Sequence, residues 1–250
     1  MNTSASRLSA TASGVPPTPV KPSRRAVLTA FALVYVIWGS TYLAIRVSIE
    51  TIPPLLMAGG RFLIAGLLLY VWQRCRGADG PQLRDWRTAA IVGSCLLFAG
   101  NGALTYSEQF ISSGLAAVLI AVVPLFFALL SWGSGASERP RLVVWIGIAV
   151  ATAGVAIIVR PGLVAATTHN EAFGVTIVLV GALIWSVGSL YAGRVQQKTP
   201  PFLMAAMQMI CASVLLLAAS LFTGEWSRVR PGAITAASAG ALVYLIFAGS

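Results

Sequence analysis

Residues 53–58 read Pro-Pro-Leu-Leu-Met-Ala, and residues 200–205 read Pro-Pro-Phe-Leu-Met-Ala. A shift of 147 superimposes them with five of six residues identical, and the same shift places Trp38 on Trp185. A shift of 149 then lays Leu96-Leu97-Phe98-Ala99-Gly100 on Leu245-Ile246-Phe247-Ala248-Gly249. Apolar segments draw on a small alphabet, so isolated matches between them mean little. Matches that keep their order at a nearly constant spacing are what duplication of a unit leaves behind. The chain therefore reads as two copies of one unit.

The unit is a set of membrane helices. The chain is 57% hydrophobic and 10% charged, against roughly 25% charged residues in an ordinary soluble domain. Its apolar residues gather in runs of about 20, the number that spans a bilayer core as helix, and backbone in lipid must satisfy its own hydrogen bonds. Spans are predicted at residues 26–46, 55–72, 88–106, 112–132, 142–159, 173–192 and 202–222, with an eighth running from 233 to the last residue. Residues 1–25, rich in Ser, Thr, Ala and Pro, read as a disordered tail. The first apolar run is longer than a signal-peptide core and has a counterpart inside the chain, so it is expected to be retained.

Spans six, seven and eight repeat spans one, two and three, so each unit holds five helices. Five is odd, and the second copy enters the membrane from the opposite side, a plan common among secondary transporters. The predicted fold is an all-α membrane protein with a 5+5 inverted repeat. The first repeat covers residues 26–159, and the second, residues 173–250, is incomplete and truncated within helix eight. By the same shift the second unit should close near residue 308, about 58 residues past Ser250.

Seventeen Lys and Arg against seven Asp and Glu give a net charge of +10. They are scattered over loops, which does not suit a nucleic-acid surface. With the N-terminus inside, twelve of the seventeen fall on the cytoplasmic side: Arg7, Lys21, Arg24, Arg25, Arg74, Arg76, Arg84, Arg87, Arg139, Arg141, Arg194 and Lys198. Arg46, Arg160, Arg228 and Arg230 fall outside, so the positive-inside rule predicts a cytoplasmic N-terminus. Cys75, Cys95 and Cys211 show neither a disulfide framework nor metal spacing.

Three stretches carry a resemblance: Trp38-Gly39-Ser40-Thr41, Pro54 through Arg61-Phe62, and Ser113-Gly114-Leu115-Ala116-Ala117 leading to Pro124-Leu125-Phe126. With the repeat, they make residues 27–250 similar to the EamA-type transporters of the drug/metabolite transporter superfamily. The resemblance implies ten helices and a central cavity lined by spans one, three, four, six, eight and nine, opening alternately to each side. It implies small-molecule cargoes such as amino acids, metabolites or drugs, most often exported across the inner membrane.

Span three carries Ser94, Asn101, Thr105 and Glu108 at steps of seven, four and three, on one helical face. Such a face either lines a cavity or bonds to neighbouring helices, with Glu108 reaching the outer interface. Asn101 is the leading candidate, since it is deepest and both donates and accepts. Span one offers Tyr35, Trp38 and Tyr42 with Thr41 beside them, and Trp185 repeats Trp38. Aromatic walls suit organic cargo, although such a stripe also serves plain packing. The candidate substrate-binding set is Trp38, Thr41, Tyr42, Asn101, Thr105 and Trp185. Arg61 is expected to snorkel to the outer interface; contact with an anionic cargo or with Glu50 is the sharper alternative. Pro124, mid-span, should kink its helix and suits a gate. Gly147, Ala151 and Gly154, with Ala149 and Ala153, permit close helix contact or a homodimer.

No catalytic set, metal site or cofactor motif is legible. His169 falls in a predicted outer loop, and no Asp or Glu sits at mid-membrane for a buried proton relay. The sequence thus points to a transporter exporting small metabolites, amino acids or drugs by alternating access, with the lipid bilayer as its medium. A membrane-embedded enzyme or a non-transporting scaffold is the alternative.

Overall fold

The computed structural model describes residues 23–135, 142–164, 169–195 and 199–250. The expected tail therefore lies outside the described residues, apart from 23–25. The described elements are helices: α1 (Arg24–Ile49), α2 (Pro54–Cys75), α3 (Leu83–Gly93), a π-helical stretch (Ser94–Gly102), α4 (Ala103–Ser107), α5 (Ser113–Ile120), α6 (Val123–Gly133), α7 (Leu142–Val164), α8 (His169–Arg194), α9 (Pro201–Phe222), α10 (Glu225–Arg228) and α11 (Ala236–Phe247). Among the described residues six spans are long and apolar enough to cross a membrane, and the third of them, Leu83–Ser107, runs through α3, the π stretch and α4. This is an all-α, multi-pass membrane protein.

Two units can be distinguished, one ending at Tyr35 and the other running from Val36 to Ser250. In the first, Ala26 N–H donates to Ser23 Oγ at 3.2 Å, capping α1, and the Phe31 and Tyr35 rings stack at 6.4 Å. All packing described below belongs to the second.

The paired prolines start helices. Pro54 and Pro201 sit in the first turns of α2 and α9, where a missing N–H costs nothing. Both helices run 22 residues and are followed by a left-handed glycine, Gly77 (φ 86°) and Gly224 (φ 69°). Those glycines stand 147 residues apart, the same shift that relates the prolines. Neither helix has a side-chain cap at its preceding proline. At α2 the buried Glu225 supplies one from afar, its Oε2 accepting from Leu56 N–H at 2.9 Å. Burial pushes this carboxyl above its usual range, against the opposing pull of the Leu56 and Leu55 N–H groups and Arg228.

α2 and α9 pack antiparallel. A Cβ at Gly59 would stand 2.8 Å from Leu217 Cγ, and one at Gly66 would stand 2.9 Å from Met209 Cβ and 3.1 Å from the Ala206 carbonyl. The third span and α8 also pack antiparallel through glycines. A Cβ at Gly181 would meet Ala103 Cβ at 2.8 Å, one at Gly174 would meet Phe110 Cβ at 3.0 Å, and Gly188 faces Cys95. The C-terminal half of α1 lies against α11, with Ser40 Oγ and Tyr244 Oη 2.6 Å apart and Ser238 Oγ donating to the Val47 carbonyl at 2.8 Å.

Two spans depart from the regular helix expected of them. The third widens into a π-helix over nine residues, a local insertion often found at functional sites. The wider turn breaks the simple seven-residue step between Ser94 and Asn101, and Ser94 instead donates its hydroxyl to the Ala90 carbonyl at 2.6 Å. The fourth is interrupted at Ala121 and Val122, and Pro124 lies in the first turn of the second piece. Proline cannot donate to the ladder, and the bonds of Ala121, Val122 and Leu125 reach back three residues at 2.9–3.1 Å.

Candidate functional site

The sequence expectation for Arg61 is overturned. Arg61 does not snorkel: its relative exposure is 0%. The reason lies in the packing of α2, where Met57, Ala58, Phe62 and Gly66 are buried with it. Its Nη2 donates to Asn101 Oδ1, and its guanidinium carbon stands 4.4 Å from the centroid of the Phe62 ring. Its Nε and Nη1 make no hydrogen bond.

One face of the third span completes the arrangement. Thr105 and Glu108 are both 0% exposed, and Thr105 Oγ1 and both Glu108 carboxyl oxygens lack a hydrogen-bond partner. Glu108 lies one residue beyond the span that ends at Ser107. Its carboxyl is pushed up to about 8 by burial, against the opposing charges of Arg46 and Arg61. Arg46, exposed at the end of α1, donates through Nη1 to the Glu108 main-chain carbonyl. Tyr42 is within electrostatic reach of the same carboxyl.

Among the described residues, seven buried side-chain atoms lack a hydrogen-bond partner, and they belong to Ser48, Thr51, Arg61, Thr105 and Glu108. These residues come from the end of α1, the loop after it, the first turns of α2 and the end of the third span. Ser48 lies in sequence between Ile45 of α1 and Ile52 of the following loop, which pack with Leu104 and Ile111, near Thr105 and Glu108 in the chain. Buried polar groups are ordinarily satisfied, since each orphan costs about 1–3 kcal/mol. The orphans here are of both kinds, cationic and hydroxyl donors and a carboxyl acceptor.

The structure brings Asn101, Thr105 and Tyr42 of the sequence candidates into this cluster. Thr41 gives its hydroxyl to the Ile37 carbonyl at 2.8 Å. Trp38 is 64% exposed and stands apart from the buried group. Trp185, half-buried on α8, packs on Gly100, where a Cβ would stand 2.7 Å from its Cδ1. Pro124 is exposed at the break in the fourth span. Glu108 and Arg61 are the residues that sequence reasoning undervalued. Glu108 is buried at the end of the third span and not at mid-membrane, and the signal for its burial was its place on the face of Asn101 and Thr105.

The profile of the EamA-like transporter family matches residues 25–160 and 172–250. The chain belongs to the EamA-like transporter family. Among curated relatives of this EamA-like chain, the uncharacterized inner membrane transporter YedA of Escherichia coli strain K12 is 42% identical over 197 residues. That match covers 78% of this chain and 61% of YedA, so the chain spans about three fifths of that relative's length. The uncharacterized transporter YvbV of Bacillus subtilis strain 168 is 26% identical, over 83% of this chain and 66% of its own. A solved crystal structure, 21% identical with a TM-score of 0.54, covers 90% of this chain and 81% of that one, which shows a shared fold.

Proposed function

We propose that the protein is a secondary transporter of the inner membrane that exports small organic molecules, such as metabolites, amino acids or drugs, by alternating access. The observation that carries this reading is the cluster of unpartnered buried polar atoms around Arg61, Thr105 and Glu108, in a chain of a transporter family. An intramembrane charge held without full satisfaction is expensive, and such residues mark substrate pathways. In this reading Asn101, Thr105 and Tyr42 touch cargo beside Arg61, while Trp38, Thr41 and Trp185 line the path toward it. Pro124, at the break in the fourth span, serves as the gate. The two antiparallel pairings, α2 with α9 and the third span with α8, support the 5+5 repeat in which residues 26–159 and 173–250 rock against each other.

Reconstitution tests the proposal. Proteoliposomes holding the complete protein, preloaded with a panel of labelled metabolites, should release at least one of them faster than empty liposomes. Arg61→Gln and Asn101→Ala should slow that release about tenfold or more at unchanged folding. Correctly folded protein with no flux across the panel removes the transporter reading.

A further inference from the structure

The buried cluster is asymmetric in charge and chemistry. Its donors are the free Nε and Nη1 of Arg61 and the hydroxyls of Thr105, Ser48 and Thr51; its one carboxyl, Glu108, has both oxygens unpartnered. The groups that bear on the Glu108 carboxyl are Arg46 from α1, Arg61 from α2 and the Tyr42 hydroxyl from α1. The wall from α5 and α8 is apolar, formed by Ala116, Leu119 and Val178. Glu108 is thus the anionic partner available to two guanidinium groups, and it makes no hydrogen bond to either through its carboxyl. An arginine holding buried donors open beside an idle carboxyl suits a further anionic acceptor, bonded through one donor at a time because Nη2 is given to Asn101.

Resting on the transporter reading, we infer that Arg61 and Glu108 form a proton-linked site for an organic carboxylate anion. The incoming carboxylate accepts from one of the two free Arg61 donors, Nε or Nη1, which lie on different edges of the guanidinium, with Thr105 Oγ1 as a further donor. Two carboxylates close together in so dry a setting do not both stay ionised, because like charges at close range disfavour ionisation, and of the two arginines Arg46 is exposed and given to the Glu108 main-chain carbonyl. Glu108 is therefore protonated when the anion is bound: below about pH 8 the empty site already holds that proton, and above it the proton is taken up from water with the anion. The apolar neighbours Ile45, Ile52 and Leu104 suit an organic body over an inorganic ion.

Equilibrium binding of benzoate to the detergent-purified complete protein tests this without any flux. In wild type, affinity should be flat below the Glu108 titration near pH 8 and should fall about tenfold per pH unit above it, as required when only the protonated form binds. Binding at pH 9 should take up about one proton per benzoate in weakly buffered solution. Glu108→Gln should bind benzoate with no dependence on pH and no proton uptake, and Glu225→Gln, at a buried carboxyl outside the site, should keep both. Arg61→Gln, which installs the residue found at the repeat-related position Gln208, should lose binding at least tenfold. Benzoate bound at pH 9 without proton uptake, a pH dependence that survives Glu108→Gln or vanishes in Glu225→Gln, or tighter binding of inorganic phosphate would each overturn the inference. Absent flux with intact proton-linked binding sinks the transporter reading alone, and flux without such binding sinks the inference alone.

Discussion

Thr105 is a residue whose native state is locally worse than it need be. Its hydroxyl is fully buried and unpartnered, and a valine of nearly the same shape would remove the orphan. Thr105→Val should therefore raise the melting temperature of the detergent-solubilised protein, by an increment worth about 1–3 kcal/mol, while slowing cargo release; a lowered melting temperature would mean that the hydroxyl has a structural partner. Glu108 makes a companion case through pH. Its folded value near 8 lies above the ordinary 4.5, so the native state holds more protons than the unfolded one between those limits. Stability should fall as pH rises from about 4.5 to about 8 and level off above. Thermal unfolding at pH 6 and pH 8.5 should show the wild type more stable at pH 6, and Glu108→Gln should flatten the difference. The face bearing Asn101, Thr105 and Glu108 was legible in spacing alone. The burial of Arg61 was not, since a residue six positions into a span can snorkel or turn inward, and only the packing of α2 decides.

At the scale of elements, glycine positions separate contact faces from open ones. Gly66 faces the Ala206 carbonyl and Met209 Cβ, whereas a Cβ at Gly60 would meet nothing within 4 Å. Gly66→Ala should cost about 1–3 kcal/mol through overpacking against α9, while Gly60→Ala should be neutral or stabilising by up to about 1 kcal/mol through helix propensity. Equal unfolding of the two variants would place α9 elsewhere. The fourth span makes a different point. Pro124 announced a kink in the sequence, and the helix is interrupted two residues before it. If that break is the hinge of a gate, Pro124→Ala should leave the protein folded and slow cargo release severalfold; unchanged release would leave the break a static feature. The π-helix over Ser94–Gly102 was invisible beforehand, because no residue pattern distinguishes it from an α-helix of the same composition. Asn101, which accepts from Arg61, lies within it.

For the whole molecule, charge and duplication make one joint prediction about sidedness. Cys75 ends α2 and is exposed, and Ser227 follows α9 and is exposed. α2 and α9 pack antiparallel through Gly59, Gly66, Leu217 and Met209, so the ends bearing Cys75 and Ser227 point in opposite directions along the pair. Arg74, Arg76, Arg84 and Arg87 crowd the segment around Cys75, while Arg228 and Arg230 stand near Ser227 beside Glu225. The positive-inside rule weighs the whole set of short loops, and that count predicts a cytoplasmic Cys75 end and a cytoplasmic N-terminus. In a background lacking Cys95 and Cys211, a membrane-impermeant maleimide applied to intact cells should miss Cys75 and label Ser227→Cys. Inverted vesicles should give the reverse. Labelling of both from one side would break the inverted relation between the two repeats, since a pair related by inversion must present its equivalent ends to opposite compartments. Labelling of Cys75 from outside, with Ser227→Cys reached from within, would keep the inversion and overturn only the orientation that the arginines assign.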